Sequence, residues 1–324
     1  MTVYLTDYRT ISTTNKELLD DIAFPQEVHW FPETYKNAAS GLVYPPHKLA
    51  SNVLLSDLCE DLRESAGEKC AFILAAGNTH FAGLNTKKTK PSRLTYDYRF
   101  LALTLNQIYA ARVAEMVGAQ DLVMTDASAC ASSLKVMTDV RNLIEHKGYS
   151  RVVVLSVEDQ ISNTVLQFFG ETGAKGFNVG QGAVLAVFEG NRTRRTPLAI
   201  LSGAGIASEK TSNSLAPQED GAGYIAAIAE ALSDAKMIPN DITVVKTHGT
   251  GTSANTLAEC AAIDLVVPHA RLVNFKQQIG HTLGASGLLE TCLLLDSKPE
   301  NEVILSVAAG MGNIYAAAIF NTKL

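Results

Sequence analysis

DLVMTDASACASSL, residues 121–134, runs as a buried-strand pattern into a tight turn of small residues, sets Cys130 at that turn and continues as a helix. A thiol at the first turn of a helix lies beside unpaired backbone N–H groups and the positive end of the helix dipole. Both favour thiolate over thiol, the form that acts as a nucleophile. A lone cysteine in an apolar segment is more often a small buried hydrophobe. Two later segments tip the balance toward chemistry.

In VVKTHGTGTSANTLAE, residues 244–259, a β-branched strand delivers His248 into a Gly/Thr turn that opens the next helix. In NFKQQIGHTLGASGLLE, residues 274–290, a strand delivers Lys276 and, after a Gly-containing turn, His281. Each presents an ionisable group at the carboxyl end of a strand, where open α/β sheets place their chemistry. A single strand-end histidine serves a structural hydrogen bond as readily as a reaction. Three strand-end sites of matching architecture point to one catalytic set.

With these residues the chain resembles the β-ketoacyl synthases of the thiolase superfamily, the condensing enzymes of fatty-acid and polyketide synthesis. ACASS around Cys130 is similar to the active-cysteine motif, HGTGT at 248–252 to the first histidine motif, and K-x4-H with GASG at 276–287 to the lysine and second-histidine motif. GFNVGQGA at 176–183, DGAGYIAAIAEAL at 220–232 and AAGMGNIY at 308–315 resemble three further family segments. The resemblance implies an α/β, thiolase-like fold, in which two duplicated halves form an α-β-α-β-α sandwich: two sheets between three layers of helix. It also implies decarboxylative Claisen condensation, with the acyl chain held as a thioester on Cys130. His248 and His281 then stabilise the enolate left when malonyl thioester loses CO2. Lys276 is expected to pair with Glu290 and order the loop of His281, since a buried unpaired ammonium is expensive, the other reading being an exposed strand-end lysine; Glu259 is expected to be a structural carboxylate. Backbone N–H groups of Cys130 and Met311, the latter flanked by Gly310 and Gly312, are the implied oxyanion donors; Met311 stands where the family carries a gating phenylalanine.

The chain departs from the family in places. It is shorter, has Asn255-Thr256 where Gly-Asp follows the first histidine motif, and has GMGN in place of a GFGG-like segment. Such changes suit a specialised polyene or polyketide-like pathway. They also suit a different class of protein, the chain-length factor, a non-catalytic partner that shapes the tunnel of a heterodimeric ketosynthase. Intact Cys130 favours the enzyme. Thiolase-type non-decarboxylative chemistry is disfavoured, because that group uses a second cysteine and none follows Cys292. The implied partners are an acyl carrier protein and a second subunit, identical or ketosynthase-like, with 151–158 as the dimer strand. The basic runs KKTKPSR at 87–93 and RTRR at 192–195 are candidate carrier patches, although short charge runs are often just solvated loops.

Composition agrees without selecting. At 324 residues, 47% hydrophobic and 19% charged, the chain can bury a large core. A net charge of −6 disfavours a nucleic-acid surface. Without a leader pattern or an apolar run of spanning length, a cytoplasmic protein is expected. Cysteines at 59, 70, 130, 260 and 292 form no CxxC pair and no metal-ligand spacing, no nucleotide or flavin motif stands out, and the reaction the resemblance implies needs no cofactor, its substrates riding on the phosphopantetheine of a carrier protein.

Apolar runs at 2–6, 71–75, 121–125, 151–157 and 183–188 read as five strands, and those at 199–202, 242–247, 271–275, 303–308 and 314–320 as five more. The polar stretch 189–197 is the joint, giving halves 1–190, with the nucleophile, and 198–324, with both histidines and the lysine. Leu134, Met137, Val140 and Ile144 form a helical stripe stopped by Gly148, with Val136 and Leu143 adding a second buried side. Ile225, Ile228, Ala229 and Leu232 form another stripe, and 286–298 an apolar helix with Cys292 as packing.

Overall fold

A computed structural model describes residues 1–12, 68–77, 106–158, 179–191, 195–211 and 213–324. The basic run 87–93, most of 192–195 and the first residues of 176–183 lie outside the described residues. The first five strands are β1 (Tyr4–Ser12), β2 (Cys70–Ala75), β3 (Leu122–Asp126), β4 (Arg151–Glu158) and β5 (Gly182–Glu189). The second five are β6 (Ala199–Ser208), β7 (Val244–Lys246), β8 (Arg271–Val273), β9 (Val303–Gly310) and β10 (Ile314–Asn321). Every run expected to be a strand is one. β7 and β8 are shorter than their apolar runs: Ile242 caps a 3-10 turn, and Asn274 and Phe275 already lead into the next helical turn.

The strand order is β3-β2-β4-β5-β1-β6-β10-β9-β7-β8. Read inward from each edge, it is the same arrangement twice: 3-2-4-5-1 is repeated as 8-7-9-10-6. Pairing directions repeat too, since β2 runs parallel to β3 and β4 as β7 does to β8 and β9, while β5 and β10 are antiparallel to their neighbours. Duplication is therefore written in the backbone. The halves join through Tyr4↔Ile200 and Leu5↔Ala199, so hydrogen bonding is continuous over both sheets.

The helices are α1 (Asn106–Met116), α2 (Ser132–His146), α3 (Ala222–Ala235), α4 (Ser253–Val266), the single turn α5 (Lys276–Ile279) and α6 (Ser286–Asp296). Side-chain alternation sorts them into layers. On β4, Val152 and Val154 face a central core shared with α2 and α6, whereas Val153, Leu155 and Val157 face an outer core against α1. On β10, Ala316, Ala318 and Phe320 face the same central core, and Tyr315, Ala317 and Ile319 an outer core with α3 and α4. The order is thus helix, sheet, helix, sheet, helix.

Two expectations are corrected. The strand 151–158 is interior, paired with β2 and β5 and buried throughout, so it presents no edge for a dimer. Among the described residues β3 is the edge strand of that half. The buried side of α3 is carried by Tyr224, Ala227, Ile228, Ala231 and Leu232, and Ala229 is exposed. A bulky Tyr224 under Tyr315, with ring centroids 5.0 Å apart, rotates the helix away from the stripe its aliphatic residues alone define.

Candidate active site

Cys130 sits in a 3-10 turn, Ala129–Ala131, between β3 and α2. The turn is locked locally: Ser128 N–H donates to Asp126 Oδ1 (3.1 Å), Ala131 N–H to Ser128 O (3.1 Å), and Ser132 Oγ to Ala129 O (2.7 Å). Ala129 adopts φ +48°, a left-handed conformation unusual for a residue with a Cβ. The second half repeats the device. Leu283 opens the 3-10 turn Leu283–Ala285 at φ +43°, and α6 follows as α2 does. Strain of this kind, of order 1–3 kcal/mol per residue, persists where the surroundings over-determine the backbone. Here the two turns pack together, and Gly284 lets them do so: a Cβ there would lie 2.5 Å from Glu158 Oε1 and 3.1 Å from Ala129 O.

His248 follows β7. Its own N–H and that of Gly249 donate to the carboxylate of Glu259 on α4, the latter at 2.8 Å. Asn255 Nδ2 donates to the same carboxylate (3.1 Å) and takes the Tyr224 hydroxyl on its Oδ1 (2.7 Å). Asn255, one of the departures from the family pattern, thus belongs to the brace under the histidine loop. Glu259 is indeed a backbone clamp. His281 is placed by a bridge to Val179 and by Gly180 N–H donating to its carbonyl (2.9 Å), which makes the described end of the GFNVGQGA segment part of the site's scaffold. Its Nδ1 is 2.8 Å from the Ser286 hydroxyl.

The two imidazoles meet edge to face with centroids 5.1 Å apart. Both are buried, and burial first, then the Lys276 charge, holds each well below the usual histidine range. Both rings are neutral at physiological pH. His248 Nδ1 is buried with no hydrogen-bond partner among the described residues. Such orphans are rare and ask for an explanation.

Lys276 Nζ lies 2.6 Å from Glu290 Oε1, with both groups buried. It opens α5 rather than ending a strand; Asn274 Oδ1 accepts its N–H at 2.8 Å. The thiol of Cys130 feels Lys276, which pulls its ionisation down, but burial and then Glu158 push it up to about 12. That overturns the thiolate expected from the helix terminus. The residue is only 9% exposed, and removing an anion from water costs more than one helical turn returns.

Gly310 ends β9 and lies on the Cys130 turn: a Cβ there would be 2.7 Å from Ser128 O and 3.3 Å from Ala131 N. Met311 is half-buried at the tip of the β9–β10 hairpin. Gly312, at φ +91°, donates its N–H to Ser214 O (2.8 Å), so its amide is committed to holding the hairpin. Gly310→Ala should force hairpin and turn apart, at about 1–3 kcal/mol for an overpacked contact. A lower urea midpoint is the expected result, and an unmoved midpoint would remove Gly310 from this role.

Two site residues went unnoticed in the sequence. Glu158 ends β4 and accepts N–H groups from Gly77 and from Gly284, the latter at 3.2 Å. Lys246 ends β7 and reaches Glu290 Oε2 (3.4 Å) and Val307 O (3.2 Å). Strand alternation was the available signal. Positions 152, 154 and 158 share a face, as do 244, 246 and 248, and that face is turned to the central layer where the candidate residues meet.

Residues 54–181 match the family described as "Beta-ketoacyl synthase, N-terminal domain", and 198–297 match "Beta-ketoacyl synthase, C-terminal domain". The chain belongs to the beta-ketoacyl synthase family. A 3-oxoacyl-[acyl-carrier-protein] synthase 2 of Staphylococcus aureus (strain COL) is 28% identical over 169 residues, 50% of this chain and 40% of that protein. The chain spans about half the length of the curated relatives it matches. Among solved structures, the ketosynthase ApeO in complex with its chain length factor ApeC, from Xenorhabdus doucetiae, aligns with TM-score 0.75 at 17% identity, covering 99% of this chain and 98% of that one. AntDE:AntF, a type II polyketide acyl-carrier protein in complex with its ketosynthase, aligns with TM-score 0.74 at 15% identity, covering 100% and 99%. These two likenesses speak for the thiolase-like fold. No helix among the described residues is long and apolar enough to cross a membrane.

Proposed function

We propose that this chain is a condensing enzyme that joins a Cys130-bound acyl group to a malonyl unit with loss of CO2, in fatty-acid, polyene or polyketide-like synthesis. Cys130 Sγ attacks the incoming thioester carbonyl, the carrier thiol leaves with the proton, and the acyl group stays on sulfur. Because the thiol rests protonated, the proton departs during attack, a loss that the Lys276 charge eases. Malonyl thioester then releases CO2, and the electron pair left behind forms an enolate whose carbon attacks the Cys130 thioester; sulfur leaves and recovers a proton.

The His248 Nδ1, buried without a partner among the described residues, beside neutral His281 carries this reading. Two uncharged imidazoles in a dry site are donors in place before the oxyanion forms, so they need no reorganisation. A Ser286 hydroxyl that donates to His281 Nδ1 would leave the His281 proton on Nε2, free for the enolate. Cys130 and Met311 amides are the proposed donors for the tetrahedral oxyanion. We read the reaction as needing no resident cofactor, with substrates arriving on a phosphopantetheine carrier protein in the cytoplasm. A second subunit, identical or ketosynthase-like, would pair along β3, a half-buried apolar edge of Leu122, Val123 and Met124.

Intact mass after incubation with acyl and malonyl carriers, alone and with a second ketosynthase-like subunit, tests the assignment. An acyl mass on Cys130 is expected, and its absence from both mixtures would defeat the enzyme. The chain-length-factor reading draws on one observation, the deep burial of a protonated Cys130, and predicts that absence.

A further inference from the structure

We propose that Lys246 is a further positioning residue of this site: its ammonium takes the second oxygen of Glu290, ties β7, β9 and α6 together, and sets the field felt by His248 and His281. The inference rests on the condensing-enzyme reading for its effect on rate, though not for its effect on the imidazoles.

Lys246 is fully buried, an unusual place for an ammonium. Its three protons are partly met by Glu290 Oε2 at 3.4 Å and Val307 O at 3.2 Å, while Lys276 holds Glu290 Oε1 at 2.6 Å. One carboxylate is thus divided between two lysines. Each element fixed by Lys246 leads to a working part of the site. β7 runs two residues on to His248, β9 carries Val307 toward Gly310 and Met311, and α6 bears Glu290 and begins at Ser286, the partner of His281.

A second ammonium on Glu290 does more than brace. When Lys246 is charged, Glu290 offsets two cations; when it is neutral, Glu290 offsets Lys276 alone. Loss of the Lys246 proton by itself lowers the local charge by one. The groups that face Lys246 are Glu290 from α6, Lys276 from α5, Glu259 from α4, and the rings of His248 and His281. Burial lowers the Lys246 ionisation to about 8 against the pull of Glu290, so this change falls within reach of mild alkali. Both imidazoles lie within the range of its charge, which disfavours the imidazolium form.

The test uses the full chain with 13C-labelled lysine and histidine. In the unsubstituted protein one lysine signal should titrate near pH 8, and the His248 and His281 ring signals should shift with it. Lys246→Met should abolish both, and Lys246→Arg should move the ring response beyond the alkaline end of the scan. Condensation, where it is measured, should show kcat falling severalfold across the same midpoint toward the Lys246→Met level, with KM for the acyl donor unmoved. Rings that ignore the lysine titration, or a lysine set that all titrates in the ordinary range, would overturn the proposal even in an inactive protein. An active protein whose kcat profile is the same for Lys246→Met would overturn it as well. A failure of condensation alone, with the ring response intact, counts against the enzyme assignment instead. Should Lys246→Met not fold, the titration of the unsubstituted chain and of Lys246→Arg still decides.

Discussion

Alanine at His248 or His281 should cut condensation by on the order of a hundredfold or more, while Cys130 still accepts its acyl group. The separation follows from where the rings stand. On the proposed mechanism thioester formation places its charge at the Cys130 turn, which is held by its own bonds among Asp126, Ser128, Ala129, Ala131 and Ser132. Enolate formation is, on that mechanism, the step that asks for the paired rings. His248→Ala should be tolerated structurally, because Glu259 clamps the backbone N–H groups of His248 and Gly249 and ignores the ring. His281→Ala loses the contact to Ser286 as well, and should cost some stability on top of rate. Comparing single-turnover acyl loading, read by intact mass, with overall condensation gives the answer. Equal losses in both steps would show that the rings serve the thiol rather than the enolate.

The fold was legible because each layer leaves a simple periodic mark. Strands buried on both faces, such as VVVLSV in β4, read as continuous apolar runs, and the turn residues between them set the spacing of the ten strands. The candidate site was legible wherever a residue ends a strand and a small-residue turn follows it, as with Cys130, His248 and His281. What escaped were properties created by pairing and burial. Strand order alone makes 151–158 interior, and nothing in its composition separates a central strand from an edge one. The state of Cys130 depended on two distant groups, Glu158 and Lys276, and on how deeply the turn was covered. Lys246 looked like the polar end of an apolar run, and only the meeting of β7, β9 and α6 turns it into half of a shared ion pair.

Glu290 is the residue whose loss should hurt the fold most. It is the fully buried anion shared by Lys246 and Lys276, and Glu290→Ala would leave two ammoniums in the central layer without their carboxylate. Breaking a buried pair from one side typically costs about 3–5 kcal/mol, because the remaining charge has lost both water and its partner. The pH dependence has a definite sign. Lys246 in the folded chain already binds its proton less tightly than it would unfolded, and without Glu290 the folded state holds it more weakly still. The unfolded chain then carries more protons, so the variant regains stability as pH rises, and its deficit shrinks over a range that ends near pH 8, where the unsubstituted chain gives up the Lys246 proton as well. Replacing all three residues with apolar ones of similar volume should restore much of the stability, since a buried ionic cluster is rarely better than good packing. It should not restore condensation. Urea unfolding of the single and triple variants across pH separates these outcomes, and a small, pH-independent loss in Glu290→Ala would mean that solvent, rather than Glu290, balances the lysines.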